Sequence, residues 1–250
     1  MRNWIAGLTL AVAGLLCVIP IQAADQTYSK TVPLANGGVV NLENVNGSVE
    51  LRGWDRDAVE IHAVKTARRA ASDLDRVEIE VRSQPGRVEI LTRYPKDQGV
   101  DVSVEYEVRV PKRAVLEHVA TVNGNVRISG VAGGGDLRTV NGNVEAYDCA
   151  GSLSARTTNG NIREELWSVG SSEMALETVN GSVILALPQD AGAELDARSM
   201  NGNVRSALPI AVTSAFAPGS FHGTLGAGGA LLHIHTVNGA IQLTVLNGTI

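Results

Sequence analysis

The chain has 250 residues, of which 44% are hydrophobic and only 4% aromatic, and it contains 27 glycines. This composition is sufficient for one large domain or two modest ones, and it predicts a core of aliphatic side chains with many tight turns. The formal net charge of -5, with acidic and basic residues mixed along the chain, argues against the concentrated basic surface of a nucleic-acid-binding protein.

The first 24 residues have the pattern of an export signal. Arg2 supplies a positive charge, an apolar run follows from Trp4 to Ile19, and small residues at Ala23 and Ala24 suit a cleavage site. An uncleaved membrane anchor is the alternative, but Pro20 and the short run favour cleavage. We therefore expect an exported protein, located in the periplasm, at the cell surface or outside the cell. It would touch a membrane only through this segment, if the segment stays uncleaved.

Cys149 is the only cysteine that follows the signal segment, because Cys17 lies in its apolar run. A single cysteine cannot form an internal disulfide, so stability has to come from packing and backbone pairing. We interpret Cys149 as a small buried hydrophobic residue.

Residues 25–117 predict an antiparallel β region. Short alternating runs extend to Arg52, and apolar residues alternate with polar ones from Val77 to Val81 and, at greatest length, from Val100 to Val110. Between these strands, residues 65–75 have alanines and Leu74 at helical spacing, which fits a short helix, although a polar crossover loop is an open alternative.

From residue 118 onward the chain repeats a four-residue motif, Thr-Val-Asn-Gly at Thr121–Gly124. Exact or near copies follow, and Asn46 belongs to an earlier one. From Asn123 on, the steps between Asn residues are 18, 18, 21, 21 and 37 residues, and we interpret the last as about two steps with one marker lost. Asn-Gly also suits hairpin turns, but the aliphatic residues that flank the motif keep the same positions in each copy. This register favours stacked coils. The predicted fold is all-β, with an antiparallel N-terminal meander leading into a parallel β-solenoid of about 18–21-residue coils in residues 118–250.

The repeat predicts a structural ladder inside the solenoid. Alternation along each strand would point both the Thr or Ser and the Asn of each copy inward, where stacked Asn side chains can bond to one another, and the Gly would supply a positive φ at the corner. The predicted ladder consists of Thr121, Thr139, Thr157, Thr178, Ser199 and Thr236 together with Asn123, Asn141, Asn159, Asn180, Asn201 and Asn238.

Two further columns should face outward. The first column is mostly apolar and could be a binding stripe. We expect it to be covered instead, either because the strand bends and places these residues in the core or because the N-terminal strands lie over them. We interpret the other as ordinary surface charge. The apolar column is Val122, Val140, Thr158, Val179, Met200 and Val237, and the charged column is Arg138, Arg156, Glu177, Arg198 and His235. Residues 207–229, rich in Pro and Gly, predict a loop or a degenerate coil.

No cluster of residues predicts catalysis. The acidic residues do not recur at one repeat position, and no G-x-S-x-G sequence is present. His222, His233 and His235 could offer three nitrogen ligands, but two His residues separated by one residue are a weak signal for zinc. We expect no metal, no cofactor and no catalytic residue.

The order of parts resembles the bacterial putative-adhesin family of β-strand-repeat cell-envelope proteins. The resemblance rests on the export signal, a strand ending in Val110-Pro111-Lys112 and the coils of the form Thr-Val-Asn-Gly-Asn-Val, and it covers residues 27–244. It implies a β-solenoid at the cell envelope and carries over no catalytic residue. We therefore expect a non-enzymatic, adhesin-like protein that presents a surface to an unidentified envelope protein or glycan. A polysaccharide-active β-helix enzyme and a self-assembling scaffold are the alternatives.

Overall fold

A computed structural model describes residues 24–96, 99–217 and 219–246 of the chain. The predicted export signal therefore lies outside the described residues, except for Ala24. Within the described ranges, no helix combines the length and the apolar character needed to cross a membrane.

The described residues form 21 strands and one short 3₁₀ helix. In chain order, the elements are β1 (Ala24–Pro33), β2 (Val39–Glu43), β3 (Val49–Trp54), β4 (Ala58–Ala67), the 3₁₀ helix (Ala71–Arg76), β5 (Glu78–Gln84), β6 (Arg87–Arg93), β7 (Val102–Pro111), β8 (Val115–Ala120), β9 (Val126–Ser129), β10 (Gly135–Arg138), β11 (Val144–Gly151), β12 (Leu153–Asn159), β13 (Ile162–Val169), β14 (Met174–Asn180), β15 (Val183–Leu187), β16 (Ala193–Asn201), β17 (Val204–Ser206), β18 (Ile210–Ala217), β19 (Ser220–Leu225), β20 (Leu231–Asn238) and β21 (Ile241–Val245).

These strands build two sheets that share one hydrophobic core. Sheet A has the order β1-β4-β7-β3-β9-β11-β13-β15-β21-β17, and sheet B has the order β18-β19-β16-β20-β14-β12-β10-β8-β2-β6-β5. Each Asn-Gly motif lies where the chain leaves a strand of sheet B and enters the next strand of sheet A. We call such a pair of strands a coil.

The coils stack in parallel, which confirms the predicted β-solenoid. Equivalent residues lie side by side in neighbouring coils: Val144 pairs with Val126 on one side and with Ile162 on the other. All three side chains are fully buried, because successive residues of a strand point to opposite faces and this position always faces the core. The stack also includes the coil of β2 and β3, where Asn46 bridges to Asn123.

The antiparallel N-terminal part is also present. In sheet A, β1 pairs with β4 and β4 with β7, and in sheet B, β5 pairs with β6. β7 differs from a simple meander strand, since its other edge pairs in parallel with β3. β6 likewise pairs in parallel with β2, so β6 and β7 together extend the stack by one more coil.

The helix predicted for residues 65–75 is wrong for its first part. β4 continues to Ala67 with alternating burial, and only Ala71–Arg76 form a 3₁₀ helix. The alanines counted toward a helix include Ala67, which lies in the strand and is buried. Lys65 points from β4 toward the helix, and its ammonium donates to the carbonyls of Leu74 and Val77 at 2.7 and 2.9 Å.

Residues 207–229 do not form a loop or a degenerate coil as predicted. They hold the hairpin of β18 and β19, and β19 pairs antiparallel with β16. The final coil, β20 and β21, then lies between β14–β15 and β16–β17, although those two coils are consecutive in sequence. Asn201 and Asn238 are therefore neighbours in space, and the 37-residue step hides no lost coil.

Candidate functional site

The Thr and Ser residues of the motif are buried and fasten each coil to the next one. The hydroxyl of Thr157 donates to the carbonyl of Gly142 at 2.9 Å, and the hydroxyl of Thr178 donates to the carbonyl of Gly160 at 2.9 Å. The same bond recurs along the stack, from Thr121 to Gly47, from Thr139 to Gly124, from Ser199 to Gly239 and from Thr236 to Gly181.

The Asn residues bond to one another, but they do not point inward as predicted. All six are exposed, and each Nδ2 donates to the Oδ1 of a neighbouring Asn at 2.8–2.9 Å, as from Asn159 to Asn141. The reason is local: the chain turns the corner at Asn-Gly, which breaks the alternation and turns the Asn side chain out of the core. The Asn ladder is therefore an external feature.

The corner glycines are needed for space, and the predicted positive φ is wrong for all six that follow the ladder Asn residues. A Cβ atom on Gly160 would lie 1.9 Å from the carbonyl oxygen of Gly142, and the corresponding distance at Gly142 to the oxygen of Gly124 is 2.0 Å. Stacked corners approach so closely that no side chain fits between them.

We expect the buried hydroxyl of Thr157 to contribute more to the free energy of unfolding than the exposed amide of Asn159. Thr157→Val keeps the shape but leaves the Gly142 carbonyl without its donor, and should lower the free energy of unfolding by about 1–2 kcal/mol. Asn159→Leu removes bonds that water can replace, and should cost less than about 1 kcal/mol. Urea unfolding of both variants measures the difference. A larger loss for Asn159→Leu than for Thr157→Val would contradict this order.

The apolar column beside the Asn ladder is exposed on the outer face of sheet B, so the expectation that it is covered was wrong. Val122, Val140 and Val179 are 38%, 40% and 41% exposed, and Met200 is 70% exposed. Thr158 is also exposed, while Val237 is half-buried. The N-terminal strands continue the two sheets at one end of the stack, which leaves this face open.

Apolar and charged columns together line a shallow groove with a volume of about 510 Å³. We call it the sheet-B groove; its floor is formed by Val122, Val140, Thr158, Val179 and Val237, and its rim by His118, Arg138, Arg156, Glu177 and His235. The rim charges are largely paired: Arg138 contacts Asp136 at 2.6 Å, and Arg156 contacts Glu177 at 3.0 Å. Ion pairs this exposed add little stability, but they leave the groove nearly neutral.

The three histidines do not converge on one point. The rings of His222 and His233 each lie 3.5 Å from the Asp196 carboxylate, whereas His235 lies in the rim of the sheet-B groove. Across the described ranges, no group of three or more His, Cys, Asp and Glu side chains has the arrangement needed to hold a metal ion.

Sequence reasoning missed the most unusual acidic residue. Glu164 is fully buried, and neither carboxyl oxygen has a hydrogen-bond partner. Burial raises the pKa of Glu164 well above its usual value. Its register neighbours are Ala146 and Leu185, so an alignment of the coils would have shown a carboxylate in a column of apolar residues.

Cys149 is also buried, and burial raises the pKa of its thiol to about 11. A thiol with this pKa is almost entirely protonated near neutral pH and therefore a poor nucleophile. The structure thus gives Cys149 a packing role.

The two stacked sheets, the parallel coils and the Asn-Gly corners define a β-solenoid repeat protein. Residues 117–244 match the family described as Toastrack DUF4097. The match spans slightly more than half of the chain, and the chain belongs to this family.

A comparison with solved structures finds similarity to proteins from several bacteria. A "putative cell adhesion protein" from Clostridium sporogenes is 11% identical with a TM-score of 0.48, and the match covers 88% of this chain and 100% of that one. A "putative adhesin" from Bacteroides fragilis is 9% identical with a TM-score of 0.31, covering 88% and 97%. A "putative lipid binding protein" from Parabacteroides distasonis is 10% identical with a TM-score of 0.29, covering 88% and 97%. No curated protein matches the chain.

Proposed function

We propose that the protein is an exported, non-enzymatic cell-envelope protein whose sheet-B groove binds an envelope protein or glycan. The observation that carries the proposal is the exposed apolar column. Val122 and Val140 follow the ends of β8 and β10, Val179 lies in β14, and 38–41% of each side chain is exposed. Exposed apolar surface with a polar border is typical of binding sites.

The groove presents a similar arrangement of side chains along five neighbouring coils. Each of these five coils offers one floor residue and one rim side chain, with the exposed Asn amide of the ladder beside them, and this amide has a second N–H beyond the one used in the ladder. Coils are spaced about 4.8 Å apart. An extended partner lying across the strands would therefore meet a hydrogen-bond donor at each of the five steps, and a valine at four of them with Thr158 at the fifth, which combines a mostly dry centre with a polar border.

A binding role is also supported by the positions of Glu164 and Cys149, the two side chains with shifted pKa values that could otherwise be candidates for catalysis. Glu164 and Cys149 have raised pKa values, but both are fully buried and out of reach of a polymer on the surface. Glu177 in the rim of the groove is paired with Arg156, and Asp136, which lies next to the rim, is paired with Arg138. The export part of the proposal rests on the predicted signal segment.

The proposal is tested by charging the floor of the groove. The double variant Val140→Asp/Val179→Asp places two carboxylates on the apolar column, and binding to cell-envelope extract should fall by about ten-fold or more, since each charge would have to be desolvated. The control Val140→Thr/Val179→Thr keeps the shape without a charge and should bind nearly as well as the wild type.

Three forms of the extract are applied to the immobilised chain: untreated extract, extract treated with protease and extract oxidised with periodate. The bound mass is recorded for each form. Loss of binding after protease indicates a protein ligand, and loss after periodate indicates a glycan. Unchanged binding by the double Asp variant would refute the groove as the site. Release of sugar products from envelope polysaccharide by the wild-type chain would refute the non-enzymatic part.

A further inference from the structure

The two sheets end in four edge strands, and one of these differs from the other three. Edge strands usually carry charges, which discourage pairing with another molecule. In sheet A, β1 carries Asp25 and Lys30, and β17 carries Arg205. In sheet B, β5 carries Glu78, Glu80 and Arg82, but β18 carries no charge.

β18 is long, open and apolar for an edge. It spans eight residues, Ile210–Ala217, and its one pairing partner among the described strands is β19. Ala211, Val212 and Thr213 are exposed in succession, so both faces of the strand meet solvent here, and Val212 is 56% exposed. The sequence has no Asp, Glu, Lys or Arg from Ser206 to Phe221. This edge lacks the charges that the other three edges carry, and its pairing with β19 shifts register between Val212 and Ser214 and between Ser214 and Ala217.

We propose that β18 pairs antiparallel with β18 of a second copy of the chain, joining the two copies of sheet B across a two-fold axis. An antiparallel pair of identical strands is self-complementary, because each strand presents the same residues to the other. The free backbone N–H and C=O groups of both edges are then satisfied by each other.

Because β18 carries no charge, its best pairing partner is β18 of a second copy of the chain. The other edges of the same protein carry charges that would have to be brought against an apolar strand without a counterion, so β18 matches β18 better than it matches β1, β5 or β17. In the strand order of sheet B, β18 is separated from β20 by β19 and β16, so this pairing leaves the sheet-B groove open. A dimer would carry two such grooves, and two sites on one particle bind a repetitive partner more tightly than one.

Sedimentation equilibrium of the mature full chain, over roughly a hundred-fold range of concentration, tests the proposal. We expect reversible dimers in the wild type. Val212→Lys places like charges close together across the two-fold axis and should weaken the dimer by about ten-fold or more. The control Ser83→Lys adds the same charge to the exposed edge β5 and should leave the dimer unchanged.

Circular dichroism and melting curves show whether Val212→Lys is folded, and Thr213→Lys, at the neighbouring exposed position, serves as a second variant. Three results would each overturn the proposal. These are a wild-type chain that stays monomeric over the whole range, a dimer that both β18 variants leave intact, and a dimer that Ser83→Lys weakens as much as the β18 variants do.

Discussion

Replacing Gly160 by alanine should lower the free energy of unfolding by about 3 kcal/mol or more, which is a large part of the stability of an ordinary domain. The added Cβ would lie 1.9 Å from the Gly142 carbonyl oxygen and 2.5 Å from its carbon, and both are backbone atoms that cannot rotate away. Gly142 in turn sits against Gly124 at 2.0 Å, so the stack cannot shift on that side. The coils would have to separate, and the bond from Thr178 to Gly160 would be strained.

Gly86→Ala is the matched control. Gly86 has φ +77°, yet no atom lies within 4 Å of an added Cβ, so the substitution there costs conformational strain alone, about 1–2 kcal/mol. Urea unfolding of the two variants separates a steric cause from a conformational one. Equal losses at Gly160 and Gly86 would show that the corner has room for a side chain.

The stability of the wild-type chain should fall as pH rises through the range where Glu164 would ionise in the unfolded state. Burial raises the pKa of Glu164 in the folded state, while the unfolded value is about 4.3. The folded chain therefore holds a proton that the unfolded chain releases. The contribution of this bound proton to the free energy of unfolding is complete below the unfolded pKa. It declines by about 1.4 kcal/mol per pH unit as the pH rises, until the folded pKa is reached.

Two substitutions isolate this contribution. Glu164→Gln should remove the decline in stability that begins above the unfolded pKa in urea unfolding, because the side chain no longer ionises. Glu164→Leu should raise the free energy of unfolding at neutral pH by about 2 kcal/mol or more, since an unpartnered carboxyl is replaced by an apolar side chain of the type found at Leu185 in the next coil.

Glu165→Gln is the control for the pH experiment. Glu165 adjoins Glu164 in β13, but it pairs with Arg163 on the outer face at 2.7 Å, and its removal should leave the slope unchanged. A Glu164→Gln chain that keeps the full wild-type slope would assign the pH dependence to other groups.

Much of the fold could be predicted from the repeat, because a fixed period with matched flanking residues leaves few alternatives to parallel stacking. The direction of the Asn side chains could not. Alternation predicts the face of a residue within a strand, and Asn159 lies where the strand ends and the chain turns. The role of Gly160 was missed for a related reason, since the contact that requires it comes from a neighbouring coil and not from its own backbone.

The order in which the last coils stack could not be predicted from the spacing of the motif in the sequence. A step of 37 residues fits a lost marker as well as it fits a hairpin followed by an inserted coil, and both bury the same aliphatic residues. The sheet-B groove was predicted only as a column of residues. Whether Val140 and Val179 are covered depends on where the N-terminal strands run, and that is a property of the whole topology.

The position of the final coil has a consequence for the order of synthesis. Residues 193–206 leave the ribosome before residues 231–245, yet their place in the stack is on the far side of those later residues. Assembly from the N-terminus can therefore proceed in sequence only as far as β15, and the coil of β16 and β17 cannot take its place until β20 and β21 have been synthesised. In a chain that ends before β20, β14–β15 and β16–β17 would lack the coil that lies between them, so the correct packing of β16 and β17 requires that residues 231–245 are present.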